Sequence, residues 1–166
     1  MLQPDVQTQT FGSTLPPALV NSVGFLLNEA AIVIREMDEI ALAALDINPR
    51  SLGILMTISQ EGPQSQQAIG RKHRIDRTTM VKLTDALEQR GLVVRAAHPN
   101  DRRCYALSLT PEGEVLLQQG LTLVGQTQDK FLCPLTDVEW EQLRQLLIRL
   151  LTCQDKPSKS KRRKKT

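Results

Sequence analysis

Aromatic residues are scarce in this chain, with three Phe, one Tyr and one Trp among 166 residues. A buried core must therefore be assembled from Leu, Ile, Val, Ala and Met. Cysteine is equally sparse. Cys104, Cys133 and Cys153 are odd in number, widely spaced and outside any metal-site pattern, which excludes a disulfide framework and favours free thiols in a reducing compartment. Long apolar runs are missing too. The stretch ALVNSVGFLL at 18–27 contains Asn21 and Ser22 and is far too short to cross a bilayer. The opening MLQPDVQTQT has neither a basic region nor an apolar block, so no secretory signal is expected and the expected location is cytoplasmic, away from membranes.

The chemistry of catalysis is also thin. The only histidines, His73 and His98, are not at ligand spacing and have no carboxylate cluster beside them, so they read as a turn and a loop residue and no metal is expected. No Ser-His-Asp or Cys-His pairing is supported by spacing, and no glycine-rich phosphate loop is present. An enzyme reading has no residues to rest on, and no cofactor is implied.

What the chain does have is a patterned charge. The formal net charge is +3, yet residues 156–166, KPSKSKRRKKT, hold seven of the 21 basic residues and no acid. The remaining 155 residues carry a net charge of −4. Within them, residues 66–103 hold nine basic and four acidic side chains, while the flanks together come to −9. An otherwise acidic body with one basic module in its middle is a better argument for a polyanionic ligand than the overall isoelectric point. The length suits one domain with appendages.

The apolar spacing predicts a first helix over 18–45, after a polar, flexible segment at 1–17. Asn48-Pro49 supplies an N-cap and a first-turn proline for a helix that Gly62-Pro63 stops. Ser65 can cap a short helix, SQQAIGRK, and Asp76 can cap a second, RTTMVKLTDALEQR, ending at Gly91. Two short helices across a turn of three or four residues make a helix-turn-helix. Alternating runs at Leu92–Ala96 and Cys104–Leu109 then predict a hairpin, whose tip carries Asp101, Arg102 and Arg103. Thr110-Pro111 opens a further helix to about Lys130, and Thr136 with Glu139 forms a capping box before the last helix. The tail at 153–166, basic from Lys156, is expected to be disordered.

The predicted class is thus mainly α with a small β-hairpin wing. A helix fits a major groove, and arginines on a hairpin tip can reach a minor groove or phosphates. On the second short helix, Met80, Leu83 and Leu87 share a core face. Arg77, Thr78, Val81 and Lys82 lie opposite, with Thr79 near the boundary. Thr hydroxyls suit phosphates or base edges and Val81 suits a thymine methyl, although a solvated helix face would look much the same. Gln64, Ser65 and Gln66 open the preceding helix, where backbone N–H groups and amides can meet a phosphate, Ser65 and Gln66 being the candidate contacts. The apolar first and last helices can pack on each other or on a second copy. Dimerisation would extend the site read on duplex DNA and favours the second arrangement.

This order of elements resembles the MarR family of winged helix-turn-helix transcriptional regulators. The resemblance covers roughly 18–152 and rests on IDRTTMVKLTDALEQRGLV at 75–93 and HPNDRRCYALSLTPEG at 98–113. It implies a homodimer on a pseudo-palindromic operator, most often as a repressor. It also implies a small-molecule effector held in a cleft, dimerisation helices at 18–46 and 111–152, and a DNA-binding domain at 47–110. By the same resemblance Arg103 enters the minor groove and Arg102 lies on the backbone or assists; Asp101 beside them can hold an arginine fork in place. The chain departs from the family at His73 and Arg74, where an apolar residue and often a glycine stand in the turn, and at Gly70, where Ala is usual. The tail is outside the family pattern. Two other readings remain open: a winged-helix module that binds a protein, as an anti-repressor or scaffold, and a regulator that senses redox state through Cys104, beside the arginine tip.

Overall fold

The computed structural model describes residues 15–98 and 101–154; the side chains of residues 97, 98, 101–104 and 154 lie outside that description. In chain order the elements are α1 (Pro17–Val20), α2 (Val23–Leu42) with a 3₁₀ turn at Ala43–Leu45, α3 (Pro49–Glu61), β1 (Gln64–Ser65), α4 (Gln66–His73), α5 (Arg77–Gln89), β2 (Val93–His98), β3 (Asp101–Leu109), α6 (Pro111–Leu132) and α7 (Asp137–Gln154). The described chain forms two compact units, one through Thr127 and one from Gln128.

The expected single helix over 18–45 is broken after Val20. Ser22 takes an extended backbone and its hydroxyl accepts the Phe25 N–H at 3.4 Å, so it caps a new helix instead of continuing the old one. Apolar spacing runs through this break and cannot reveal it. The other caps fall where the sequence places them. Asn48 accepts the Ser51 N–H at 2.9 Å before Pro49, Ser65 accepts that of Ala68 at 3.2 Å, and Asp76 accepts that of Thr79 at 3.0 Å. Thr136 and Glu139 cap each other reciprocally at the start of α7.

The hairpin is longer than expected, with arms at 93–98 and 101–109, so Asp101, Arg102 and Arg103 belong to the backbone of β3 and only 99 and 100 lie between the strands. A third strand, β1, was not legible. It is two residues long, pairs Gln64 with Leu107 and Ser65 with Ala106, and makes β3 the centre of an antiparallel sheet ordered β1-β3-β2. Gly91, at φ +67°, turns the chain from α5 into the sheet, a conformation that a Cβ disfavours.

The core of the first unit draws Leu52, Ile54, Leu55 and Ile58 from α3, Ile69 from α4, Met80 and Leu87 from α5, and Val93 and Leu107 from the sheet. Each such side chain contributes about 1.5–3 kcal/mol of transfer free energy. Leu42 of α2 and Leu117 of α6 are buried in the same cluster, so the core crosses the boundaries expected at 46/47 and 110/111. Leu83, expected in the core, is only half-buried at its edge. This is a winged helix-turn-helix: α4 and α5 joined by a tight turn, followed by the β2–β3 wing. Among the described residues no helix is long and apolar enough to cross a membrane.

Candidate nucleic-acid interface

The turn between α4 and α5 explains the unusual residue at 74. Arg74 has φ +53° and ψ +38°, the left-handed conformation that ends a helix and that glycine adopts without strain. Its N–H and that of Ile75 close on the last carbonyls of α4, the latter at 2.9 Å from Gly70 O. Arginine therefore accepts a backbone that costs a non-glycine residue roughly 1–2 kcal/mol. His73 is not in the turn; it is the last residue of α4, and its Nε2 lies 2.7 Å from Thr57 Oγ1 on α3. Gly70 is buried at the crossing, where a Cβ would meet Ile75 O at 3.3 Å and Met80 Cγ at 3.6 Å, so the small residue admits close approach of α5.

Between α4 and α5 lies a notch of about 750 Å³. It is lined by Gln67, Gly70 and Arg71 of α4, Arg74 of the turn, and Arg77, Met80 and Val81 of α5. Arg77, Thr78 and Lys82 are exposed, Val81 is 40% exposed, and Thr79 is half-buried, its N–H held by Asp76. Opposite them Met80 is buried, as the amphipathic pattern requires. No carboxylate among the described residues pairs with Arg71, Arg77 or Lys82. The one acid at the notch, Asp76, is engaged as a cap: the Thr79 N–H, then its hydroxyl, hold the carboxyl below the usual range and so keep it ionised.

The two residues expected at the start of α4 are less open. The Ser65 oxygen is occupied by the Ala68 N–H, with its hydroxyl hydrogen still to donate. The Gln66 amide nitrogen donates to Thr84 Oγ1, leaving one amide hydrogen and the carbonyl oxygen. The side chains of Asp101, Arg102, Arg103 and Cys104, the expected wing tip and its thiol, lie outside the described residues, as does the tail from 155.

Two parts of the surface escaped the sequence reading. Arg71 and Arg74 share the notch with α5; the spacing of Gln67, Gly70 and Arg71, at i, i+3 and i+4, was a signal for that face, whereas Arg74 reaches it through its left-handed turn. The charge count was also too generous. Arg95 bonds Asp85 and Glu88, Lys72 pairs with Glu61 at the surface, and Arg90 is turned to the Leu45 and Asp46 carbonyls, so three cations of the basic module are engaged by the protein's own groups. Among the described residues of the module, Arg71, Arg77 and Lys82 on the α4–α5 face pair with no carboxylate.

Comparison with known proteins agrees with this geometry. Residues 47–105 match the MarR family. The chain is 33% identical over 135 residues to a protein of Thauera aromatica described as a transcriptional regulator for the hcr operon, covering 80% of this chain and 81% of that one. It is 26% identical to the transcriptional repressor MdtR of Bacillus subtilis, over 63% of this chain and 67% of the repressor. The crystal structure of CouR from Rhodococcus jostii, bound to p-coumaroyl-CoA, superposes with a TM-score of 0.72 at 28% identity, covering 80% of this chain and 93% of CouR.

Proposed function

The chain belongs to the MarR family of transcriptional regulators, and from that premise we propose that it is a repressor that binds a pseudo-palindromic duplex as a homodimer and releases it on binding a small-molecule effector. The observation that carries the reading is the exposed α5 face. Arg77, Thr78, Val81 and Lys82 project beside Arg71 and Arg74, and no carboxylate among the described residues neutralises Arg71, Arg77 or Lys82. In a major groove this face offers cations to phosphates, hydroxyls to base edges and one apolar contact. Thr79 supports the turn, and Ser65 and Gln66 offer the N-terminus of α4 to a phosphate. Arg103, with Arg102 and Asp101 beside it on β3, is assigned to the minor groove. A module that bound only protein would have no use for an unneutralised, threonine-bearing basic face.

Dimerisation is supported by apolar surface that each unit leaves uncovered. On α2, Val23 is 69% exposed and Ile40 78%; on α7, Val138, Leu146, Ile148, Leu150 and Leu151 are all exposed. Surface of this kind marks association. The effector is supported by CouR, a relative solved with an acyl-CoA thioester bound. Selection of bound sequences from a random duplex pool tests the reading, with light scattering on the complex. A recovered inverted repeat, with half-site centres roughly 10 bp apart and two chains per duplex, is the expected result. Recovery of no sequence, or a monomer at full affinity on a single half-site, contradicts it.

A further inference from the structure

Thr84 sits on α5 with no exposed surface, and its hydroxyl is fully used. It donates to the carbonyl of Met80 (2.9 Å) or Val81 (3.0 Å) and accepts from two sides, the Gln66 amide of α4 and Arg95 Nη2 of β2 at 3.2 Å. A hydroxyl has one hydrogen and two lone pairs, and here all three are engaged. The same guanidinium reaches Asp85 Oδ1 at 2.5 Å through Nη2 and Glu88 Oε2 through Nη1. Thr84, Asp85 and Glu88 lie at i, i+1 and i+4, on the stripe that begins one turn earlier at Val81. One planar cation from the wing therefore spans one turn of the helix that carries the proposed reading face. At 28% side-chain exposure it is largely shielded from the solvent that weakens ordinary surface pairs.

We propose that Arg95 is a positioning residue: its clasp on Thr84, Asp85 and Glu88, closed from α4 by Gln66, sets the angle between the wing and α5, so that wing and helix meet their two grooves in one register. A guanidinium suits this task because its fork can hold two carboxylates and a hydroxyl at fixed relative positions, which a single ammonium cannot. With three of its five N–H donors given to the protein and two carboxylates against its charge, Arg95 is not a phosphate contact, although its charge and its place on the wing would suggest one. The inference rests on the proposed function for its DNA readout only.

The full chain is compared with Arg95→Met, Arg95→Lys and the double variant Asp85→Asn, Glu88→Gln, on a duplex recovered by selection and on a scrambled one. Arg95→Met is expected to lose roughly ten-fold or more in affinity for the selected duplex, the scale of one well-made base contact, with Arg95→Lys recovering part. Its slope of log affinity against log salt is expected to stay unchanged; a fall of about 0.9 would mark a lost phosphate contact and overturn the proposal. The double variant separates the two roles by sign. It removes two negative charges beside a polyanion, so tighter binding would follow if Arg95 touched DNA, and weaker binding follows if the clasp positions the wing. Amide exchange needs no DNA. Arg95→Met should speed exchange in β2 while α3 keeps its protection, and unchanged exchange in β2 would overturn the proposal by itself. A wild type that selects no duplex would defeat the functional reading, and the exchange result would still decide the clasp.

Discussion

Gly113 and Leu92 approach so closely that a Cβ on Gly113 would stand 2.0 Å from the Leu92 carbonyl oxygen. The contact joins the first turn of α6 to the start of the wing. Thr110 reinforces it, donating its hydroxyl to Gly91 O at 2.7 Å and accepting the Gly113 N–H at 3.0 Å. Backbone on both sides leaves no flexible atom to yield. Gly113→Ala is therefore expected to cost about 3 kcal/mol or more, read as a shift in the urea midpoint. Gly125→Ala is the control: nothing lies within 4 Å of its added Cβ, and the gain in helix propensity is at most about 1 kcal/mol. Equal midpoints for the two variants would contradict the packing described here.

Arg103→Ala is expected to weaken specific binding more than Arg149→Ala, since only the first lies on the wing. If Arg103 enters a narrow minor groove, A·T-rich flanks should favour the wild type and matter less to the variant. A footprinting titration checks this, and equal losses for the two variants would remove the wing tip from the interface.

The first turns of α7 should respond to acid. The Thr136 N–H holds the Glu139 carboxyl below its usual range, and the Arg144 guanidinium, with the Gln145 amide, lowers that of Glu141 from 4.5 to about 2. The unfolded chain thus takes up a proton on Glu141 near pH 4.5, before the folded chain does. The contribution is complete above that pH and is lost as pH falls toward about 2. Both groups are exposed, so the effect is small. Glu141→Gln should flatten the fall in thermal midpoint between pH 5 and pH 3, and a fall as steep as that of the wild type would contradict the assignment.

Deleting residues 156–166 should leave the sequence preference intact and lower affinity at low salt. The segment holds seven cations and no apolar residue able to dock, so it acts through counterion release, about −0.9 in the salt slope for each charge engaged. Truncation that tightened binding would show that the tail folds back on the acidic body. An unchanged slope and affinity would exclude both roles.

Much of this fold was legible because its signals are local. Caps at Asn48, Ser65, Asp76 and Thr136 mark helix starts through a side chain and an N–H two or three residues on, a relation that sequence states directly. What stayed hidden was non-local or too short to carry a period. The two residues of β1 have no alternation to detect and exist through pairing with Leu107 and Ala106, some 40 positions away. The break at Ser22 was masked because the apolar spacing is the same on either side of it. At the site, α5 divides into core and exposed faces as its 3.6-residue period demands, yet the direction of Arg95 could not be read: nothing in the order of residues says that a wing arginine bonds Asp85 and Glu88. Thr84 has the same lesson, as a polar residue on a threonine-bearing helix that proves to be a buried hub.

The claim on which the rest depends is that α5 reads sequence from a major groove. Its most direct test is the affinity of Thr78→Ala and Lys82→Ala for the selected duplex and for a random duplex of equal length and salt. Base contacts predict a loss of about 1–3 kcal/mol on the selected duplex for each substitution and little change on the random one. An equal loss on both duplexes would reduce these residues to phosphate contacts and contradict the claim.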